Sequence, residues 1–137
     1  MPIAKEFTVL MDDRPGTLGR ICRALADRNL NVLATQSFSI GGKSVTRFVF
    51  DDAAKAKSAL DSERLNYTEA DVAQVKLAHR PGELARAAQK LGDANININY
   101  FYVGVDPSAA GPLLIFGVAE ASKAAPLLDQ AAAAAGR

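Results

Sequence analysis

The residues best suited to chemistry stand at a turn that occurs twice in the chain. Residues 14–31 read RPGTLGRICRALADRNLN and residues 80–97 read RPGELARAAQKLGDANIN, with nine of eighteen positions identical. The first N–H groups of a helix lack intrahelical partners and carry positive potential, so a glycine turn at a helix start can bind a carboxylate. The repeated Asn that precedes the next β-rich segment both donates and accepts, and it could bridge the ammonium and carboxylate of a free amino acid.

The same residues also have a purely structural explanation. Pro fixes φ at a helix start, Gly permits a tight turn, and Asn29 and Asn95 suit helix ends. This explanation accounts less well for Asn31 and Asn97, because Asn is depleted in β-strands. The sequence alone therefore allows both a ligand-binding turn and a turn that only shapes the backbone.

Few residues could support catalysis. The sequence has one histidine, His79, and one cysteine, Cys22, and no cluster with metal-ligand spacing, so we expect no metal and no other cofactor. It contains no nucleophile-elbow, Walker or dinucleotide-binding glycine pattern. Cys22 lies on an apolar helical stripe and is expected to be a small core residue. Asp12 and Asp13 are adjacent carboxylates, but the second copy has Ala78 and His79 in their place.

The composition is that of a soluble globular protein. The chain has 137 residues, of which 49% are hydrophobic and 23% charged, and its formal net charge is +1. This balance gives no field that would favour nucleic acid or an acidic membrane surface. No apolar run is long enough to span a bilayer, the N-terminus lacks a signal-peptide pattern, and a single cysteine forms no internal disulfide. We therefore expect a cytoplasmic protein without nucleic-acid or membrane partners.

The first copy of the repeat predicts the element order βαββαβ. Its apolar residues alternate in the strands and recur at helical spacing after the turn. The predicted elements are a strand over 7–11, a helix with the stripe Leu18, Ile21, Cys22 and Leu25, a hairpin of 32–40 and 45–50 around Gly41 and Gly42, a helix after 51–52, and a strand over 64–68.

The second copy predicts the same order up to its last element. We expect Ser122 to cap the final helix, with Pro126 in its first turn. No segment suited to a fourth strand follows that helix. The predicted elements are a strand over 72–77, a helix with the stripe Leu84, Ala87, Ala88 and Leu91, a strand over 96–105, a turn over 106–112, a strand over 113–118, and the final helix.

The predicted fold class is therefore α+β, with two tandem ferredoxin-like βαββαβ units. Each unit has an antiparallel sheet with its helices on one face, and the second lacks its last strand. The expected domains are residues 1–69 and 70–137.

The repeat also resembles a known family. The stretches DDRPGTLGRICRALADRNLNV and AHRPGELARAAQKLGDANINI are each similar to the opening of an ACT domain, through the R-P-G-x-L turn and the N-x-N-(V/I) motif. The resemblance covers nearly the whole chain as two tandem units, as in small free-standing tandem ACT proteins. It implies the βαββαβ fold, side-by-side pairing of units, and a regulatory role that includes the binding of amino acids.

Carried over by position, the resemblance assigns two ligand-binding turns with an Asn beside each. Family members that bind amino acids often have Asn before the Arg, where this chain has Asp13 and His79. We expect the His79 turn to be the better amino-acid site. The candidate residues are Asp13, Arg14, Pro15, Gly16, Thr17, Leu18 and Asn31 in the first copy, and His79, Arg80, Pro81, Gly82, Glu83, Leu84 and Asn97 in the second.

The functional prediction is a non-enzymatic sensor or regulatory subunit that binds a free amino acid or a similar small carboxylate. Its output would pass through a partner protein, such as a regulated enzyme. The alternatives are a protein–protein interaction module without a ligand and, less favoured, a small enzyme on a ferredoxin-like scaffold.

Two structural expectations accompany this prediction. The strand over 72–77 should be covered by the strand over 64–68 or by a second chain, and a homodimer is the preferred outcome. Gly16 and Gly82 should lie where a Cβ would crowd the helix start or a ligand.

Overall fold

The computed structural model describes residues 3–108 and 111–135 of this mixed α/β protein, whose strands pair antiparallel. Its contacts divide into two compact units. The first unit is Lys5–Ala70, and the second contains the chain from Asp71 onward together with the residues before Lys5. The described elements are β1 (Ile3–Asp12), α1 (Thr17–Asp27), β2 (Val32–Ile40), β3 (Lys43–Phe50), α2 (Ala53–Ser62), β4 (Asn66–Lys76), α3 (Glu83–Asp93), β5 (Tyr100–Val105), β6 (Pro112–Gly117) and α4 (Ala121–Ala135).

The first unit has the strand order of a ferredoxin-like sheet. β1 pairs with β3 from Phe7 opposite Phe48 to Asp12 opposite Lys43, and β3 pairs in turn with β2. On its other side, β1 neighbours β4. Gly41 and Gly42 both have positive φ, 57° and 78°, as the tight β2–β3 turn requires. This arrangement brings the C-terminal end of β1, the first residue of β3 and the start of β4 to one end of the sheet.

The core of the first unit lies between its strands and α1 and α2. Phe7 and Phe48 are each 1% exposed, and Leu25 and Leu60 are buried against them. The side chain of Asp52 caps α2 by accepting a hydrogen bond from the N–H of Lys55 at 3.0 Å. Leu18 is 37% exposed, so its predicted place in the core is wrong. The buried positions of α1 are Thr17, Ile21 and Leu25, spaced by four residues.

The second unit repeats this helix pattern on a shorter set of strands. β6 pairs with β5 and with the later part of β4, where Ala73 lies opposite Phe116. The buried positions of α3 are Glu83, Ala87 and Leu91, whereas Leu84 is 40% exposed, so its predicted burial is wrong as well. In the described part of the chain no strand follows α4.

Other boundaries also differ from the sequence prediction. The strands predicted over 64–68 and 72–77 are one strand, β4, so the first cannot cover the edge of the second. β5 begins at Tyr100 instead of residue 96. α4 begins at Ala121, so Ser122 lies inside the helix and does not cap it, and Pro126 falls beyond the first turn. The turn predicted over 106–112 includes residues 109 and 110, which lie outside the described residues.

None of the helices in the described ranges combines the length and the apolar character needed to cross a bilayer.

Candidate functional site

The Arg-Pro-Gly turn has the same geometry in both units. Gly16 precedes α1 with φ 89° and ψ −15°, and Gly82 precedes α3 with φ 90° and ψ −13°. In each unit the N–H of the first helical residue points to the carbonyl of the turn arginine, at 3.3 Å for Thr17 to Arg14 and for Glu83 to Arg80. The repeated sequence therefore specifies a repeated backbone turn.

The glycines are required by the backbone and not by crowding. A Cβ added to Gly16 or Gly82 meets no atom of the protein within 4 Å, so the expectation that it would crowd the helix start is wrong. Their φ near 90° is a conformation that other residues adopt only with strain.

The repeated asparagines at the helix ends are structural. Asn29 and Asn95 have φ 59° and 60°, and each donates its backbone N–H to the carbonyl three residues earlier. The following residues, Leu30 and Ile96, donate five residues back, at 3.2 and 2.9 Å. This is the Schellman end of a helix, in which Asn tolerates the left-handed conformation.

A cleft of about 530 Å³ opens in the first unit beside the turn, and we call it the basic cleft. One face of α1 lines it, with Thr17, Arg20, Ile21 and Ala24 at helical spacing. The remaining lining residues come from the end of β1, the turn, the start of β3 and the connection from α2 to β4, namely Leu10, Met11, Asp12, Arg14, Lys43, Glu63, Arg64, Leu65 and Asn66.

Asp12 joins two of the cations in the basic cleft. Lys43 Nζ donates to Asp12 Oδ1 at 3.1 Å, and Arg14 Nη2 donates to Asp12 Oδ2 at 3.4 Å. The hydrogen bond and the charge of Lys43, followed by the charge of Arg14, hold the pKa of Asp12 below its usual 3.8. Asp12 is therefore ionised at neutral pH, and its negative charge offsets part of the positive potential at this end of the cleft.

Arg20 and Arg64 have no such neighbour. Within the described ranges, neither guanidinium forms an ion pair. Glu63, the second carboxylate of the cleft, is bound to Arg28 at 2.7 Å instead. Four cationic and two anionic side chains line the cleft, so the formal net charge of the lining is +2.

The other predicted residues of the first copy do not line this cleft. Asp13, Pro15, Gly16 and Leu18 are exposed around the turn. Asn31 is also exposed, and its backbone holds the start of α2. The N–H of Asn31 donates to Asp51 Oδ1 at 3.1 Å, and its carbonyl accepts from the N–H of Asp51 at 3.0 Å. Of the seven candidates, the structure brings Arg14 and Thr17 together on the cleft.

In the second unit a carboxylate of the protein itself occupies the corresponding turn. Glu83 stands where the first unit has Thr17, and its side chain is 6% exposed. Arg86 Nη1 lies 3.2 Å and Arg80 Nη2 3.7 Å from Glu83 Oε1. Oε2 is buried, and the structure gives it no hydrogen-bond partner. These two arginines are the repeat equivalents of Arg20 and Arg14.

The remaining candidates of the second copy are exposed. His79, Pro81, Gly82 and Leu84 lie around the turn, and the side chain of Asn97 donates to Asn99 Oδ1 at 2.9 Å. A second cleft, of about 380 Å³, lies elsewhere in this unit, and none of the predicted residues lines it. Its charged pair is Lys76 and Asp106, 2.8 Å apart. Hydrogen bonds from Lys76 and Ser108 hold the pKa of Asp106 far below its usual value.

Sequence reasoning missed three cationic residues of the basic cleft. Lys43 reaches it through the antiparallel pairing of β1 with β3, and Arg64 through the return of the chain from α2 to β4. Arg20 carried a usable signal, because the repeat has Arg86 at the same position. In the described part of the chain, no three His, Cys, Asp or Glu side chains are grouped so that they could hold a metal ion.

The strand order and the helix-start turn place the first unit in the class of ferredoxin-like α/β domains. Residues 6–63 match the model of the ACT domain family. A comparison with curated protein sequences gives no significant match.

Several solved structures share the fold over nearly the full chain. Protein BT0572 from Bacteroides thetaiotaomicron superposes with a TM-score of 0.82 at 21% identity, over 94% of this chain and 88% of that one. The regulatory subunit of aspartate kinase from Thermus thermophilus gives a TM-score of 0.64 at 18% identity, over 95% and 92%. The same subunit from Thermus flavus gives 0.65 at 17%, over 100% and 94%. At these identities the likeness establishes the fold.

Proposed function

We propose that this protein is a non-enzymatic regulator that binds a small carboxylate, an amino acid in the first instance, in the basic cleft of its first unit. The observation that carries the proposal is Glu83. Its carboxylate contacts Arg80 and Arg86 at the second turn, whereas the first turn has the same two arginines, Arg14 and Arg20, and an open cleft. A ligand carboxylate beside Thr17 would take the place that Glu83 fills in the other copy.

The chemistry of the first turn suits this role. The first N–H groups of α1 and the guanidinium of Arg20, which has no ion pair among the described residues, supply donors for a carboxylate. Charge-assisted hydrogen bonds of this kind are the strong ones. Glu63, which also lines the cleft, supplies an acceptor for an ammonium group. Both ends of an amino acid would therefore find partners.

This assignment differs from the sequence-based preference for the His79 turn, which stays a prediction. A ligand carboxylate at that turn would meet the carboxylate of Glu83, already bound at the start of α3. Two like charges at one helix start repel each other. For this reason we place the ligand in the first unit.

We further propose that the signal passes to a partner protein and that the chain forms a homodimer. The regulatory subunits that share the fold support a role of this kind. Strand β5 presents an exposed apolar row, in which Val103 is 53% and Val105 66% exposed. Apolar rows of this kind favour contact with another chain. The domains at 1–69 and 70–137, as two ACT units, belong to the same proposal.

A thermal-shift screen against the twenty amino acids tests the proposal. A ligand at a hundred times its dissociation constant adds about 2.7 kcal/mol to the free energy of unfolding, which gives a measurable shift. Thr17→Glu should give the first turn the carboxylate that Glu83 provides in the second. It should abolish the response, because the new carboxylate would bind Arg14 and Arg20 in place of the ligand. Arg23→Gln is the matched control, since Arg23 lies on α1 outside the cleft.

The outcomes separate the candidate functions. A response that Thr17→Glu abolishes and Arg23→Gln retains supports the ligand site. No response to any amino acid, together with co-purification of a partner, would favour the interaction module. A response that Thr17→Glu leaves intact would move the ligand away from this cleft.

A further inference from the structure

Arg64 is an unusual residue for its backbone position. In the described residues three residues other than glycine have positive φ, namely Asn29, Arg64 and Asn95. Each follows the end of a helix by the same hydrogen-bond pattern. The N–H of Arg64 donates to Asp61 O at 3.0 Å and that of Leu65 to Leu60 O at 3.2 Å. Glycine or asparagine normally takes this position, because a side chain such as that of Arg strains the left-handed conformation.

The side chain of Arg64 lines the basic cleft without an ion-pair partner in the described part of the chain. The nearest carboxylate in sequence, Glu63, binds Arg28 outside the cleft lining. A guanidinium that lies at a strained backbone position and lines a cleft without an ion pair among the described residues points to recognition of an anion. Strain of this kind persists at ligand sites because the surrounding structure enforces it.

Arg64 approaches the cleft from a different side than the turn arginines. It stands at the connection from α2 to β4 together with Asn66, whereas Arg14 and Arg20 belong to the turn and to α1. One carboxylate of a ligand would bind the turn arginines, as the carboxylate of Glu83 does in the second unit. The charge of Arg64 would then remain unmatched.

We propose that the ligand carries two anionic groups, one bound at the turn by Arg14 and Arg20 and the other bound by Arg64 with Asn66. The second group is a carboxylate or a phosphate. This inference rests on the proposed function and specifies its ligand class as amino acids whose side chain carries a carboxylate or a phosphate.

Calorimetric titration with charged and neutral probes of matched size tests the inference. The probes are L-glutamate and L-aspartate, their amides L-glutamine and L-asparagine, and O-phospho-L-serine beside L-serine. We expect at least one charged probe to bind about tenfold or more tightly than its neutral counterpart, which is the worth of one charge-assisted contact. The preference should weaken as salt is added.

Arg64→Asn and Arg64→Gly are the informative variants. Both residues suit the left-handed backbone, so the variants should retain the melting temperature of the wild type or exceed it. We expect them to reduce the preference for the charged probe over its neutral counterpart to about threefold or less, and to leave binding of the neutral probes unchanged. Arg23→Gln should retain the full preference.

Each outcome decides between the two proposals. Equal or tighter binding of the neutral probes overturns the second anionic group but leaves a carboxylate at the turn. A charged-probe preference that survives in both Arg64 variants also overturns the inference, because Arg64 would then not supply it. Failure of every probe to bind the wild type overturns the inference, and the proposed function is overturned with it only when none of the twenty amino acids gives a thermal shift.

Discussion

Lys43 Nζ lies 3.1 Å from Oδ1 of Asp12, its partner across β1 and β3, and this pair closes one end of the basic cleft. Arg14 contacts the other oxygen of the same carboxylate at 3.4 Å. Asp12 is thus an internal anion that would compete with the proposed ligand carboxylate for two cations of the cleft.

Removing that competitor should strengthen ligand binding. We predict that Asp12→Asn raises the affinity for an acidic probe such as L-glutamate by about two- to tenfold, because Lys43 and Arg14 would regain positive potential. Calorimetric titration of wild type and variant measures the change. Asp27→Asn, which removes a carboxylate outside the cleft, is the control. Unchanged or weaker binding in Asp12→Asn would mean that Asp12 positions the cations instead of competing for them.

The same carboxylate has a predicted pH dependence. The pKa of Asp12 is lowered in the folded state, so its contribution to stability is present above about pH 3.8 and is lost as the pH falls through the lowered value. We expect the acid unfolding curve of Asp12→Asn to lack this component. Circular dichroism between pH 5 and about pH 2 checks the difference. Identical acid curves for the two proteins would contradict the pairing.

The glycine before α1 and the glycine inside it should respond to alanine in opposite directions. Gly16→Ala should lower the free energy of unfolding by about 1–2 kcal/mol, because Gly16 has φ 89° although a Cβ would meet no neighbour. Gly19 lies in the interior of α1, where a Cβ also meets open space, so Gly19→Ala should raise it by about 0.5–1 kcal/mol. Urea unfolding gives both numbers. A stabilising Gly16→Ala would show that the left-handed turn is not the native one.

Tyr67 should ionise far above its usual range. Its Oη donates to Asp61 Oδ1 at 2.6 Å, and this hydrogen bond is the main cause that raises the pKa of Tyr67 to about 12. The contribution to stability is complete below about pH 10, the unfolded value, and is lost as the pH rises towards 12. In an ultraviolet titration of the tyrosines, the ionisation step at the highest pH should be absent from Tyr67→Phe. Asp61→Asn should shift that step down towards 10, and an unshifted step would exclude the bond.

The apolar row on β5 gives a test of the proposed homodimer. Val103→Lys places a charge in the centre of that row, beside Phe101 and Val105, and should shift a dimer to monomer at micromolar concentration. Analytical sedimentation reports the change. Ser58→Lys adds the same charge on the exposed surface of α2 and should not alter the mass. A wild-type monomer, or a dimer unaffected by Val103→Lys, would remove this face from the assembly.

How much of the structure could be predicted from the sequence depends on how far apart in sequence the interacting residues lie. The turn, the helix starts and the asparagine ends depend on neighbours within a few residues, and the repeat of Gly16 in Gly82 and of Asn29 in Asn95 made them readable. The continuous strand β4 was missed because Glu69 and Asp71 interrupt its apolar pattern and resemble a boundary.

The candidate site depends on longer-range contacts. Lys43 and Arg64 reach Arg14 only through strand pairing and the path of the chain after α2, which no local pattern fixes. The left-handed conformation of Arg64 carried no sequence signal either, because neither Gly nor Asn marks it. The burial of Glu83 was missed for a related reason: a carboxylate is ordinarily expected on the surface.

The buried carboxylate of Glu83 has a consequence for stoichiometry. Because the protein supplies the anion at its second turn, the duplicated sequence should bind one ligand per chain and not two, and a titration should follow a simple hyperbola. Glu83→Thr would recreate the first turn in the second copy. The titration endpoint would then move from one equivalent to two, which makes the binding capacity of the chain depend on a single side chain.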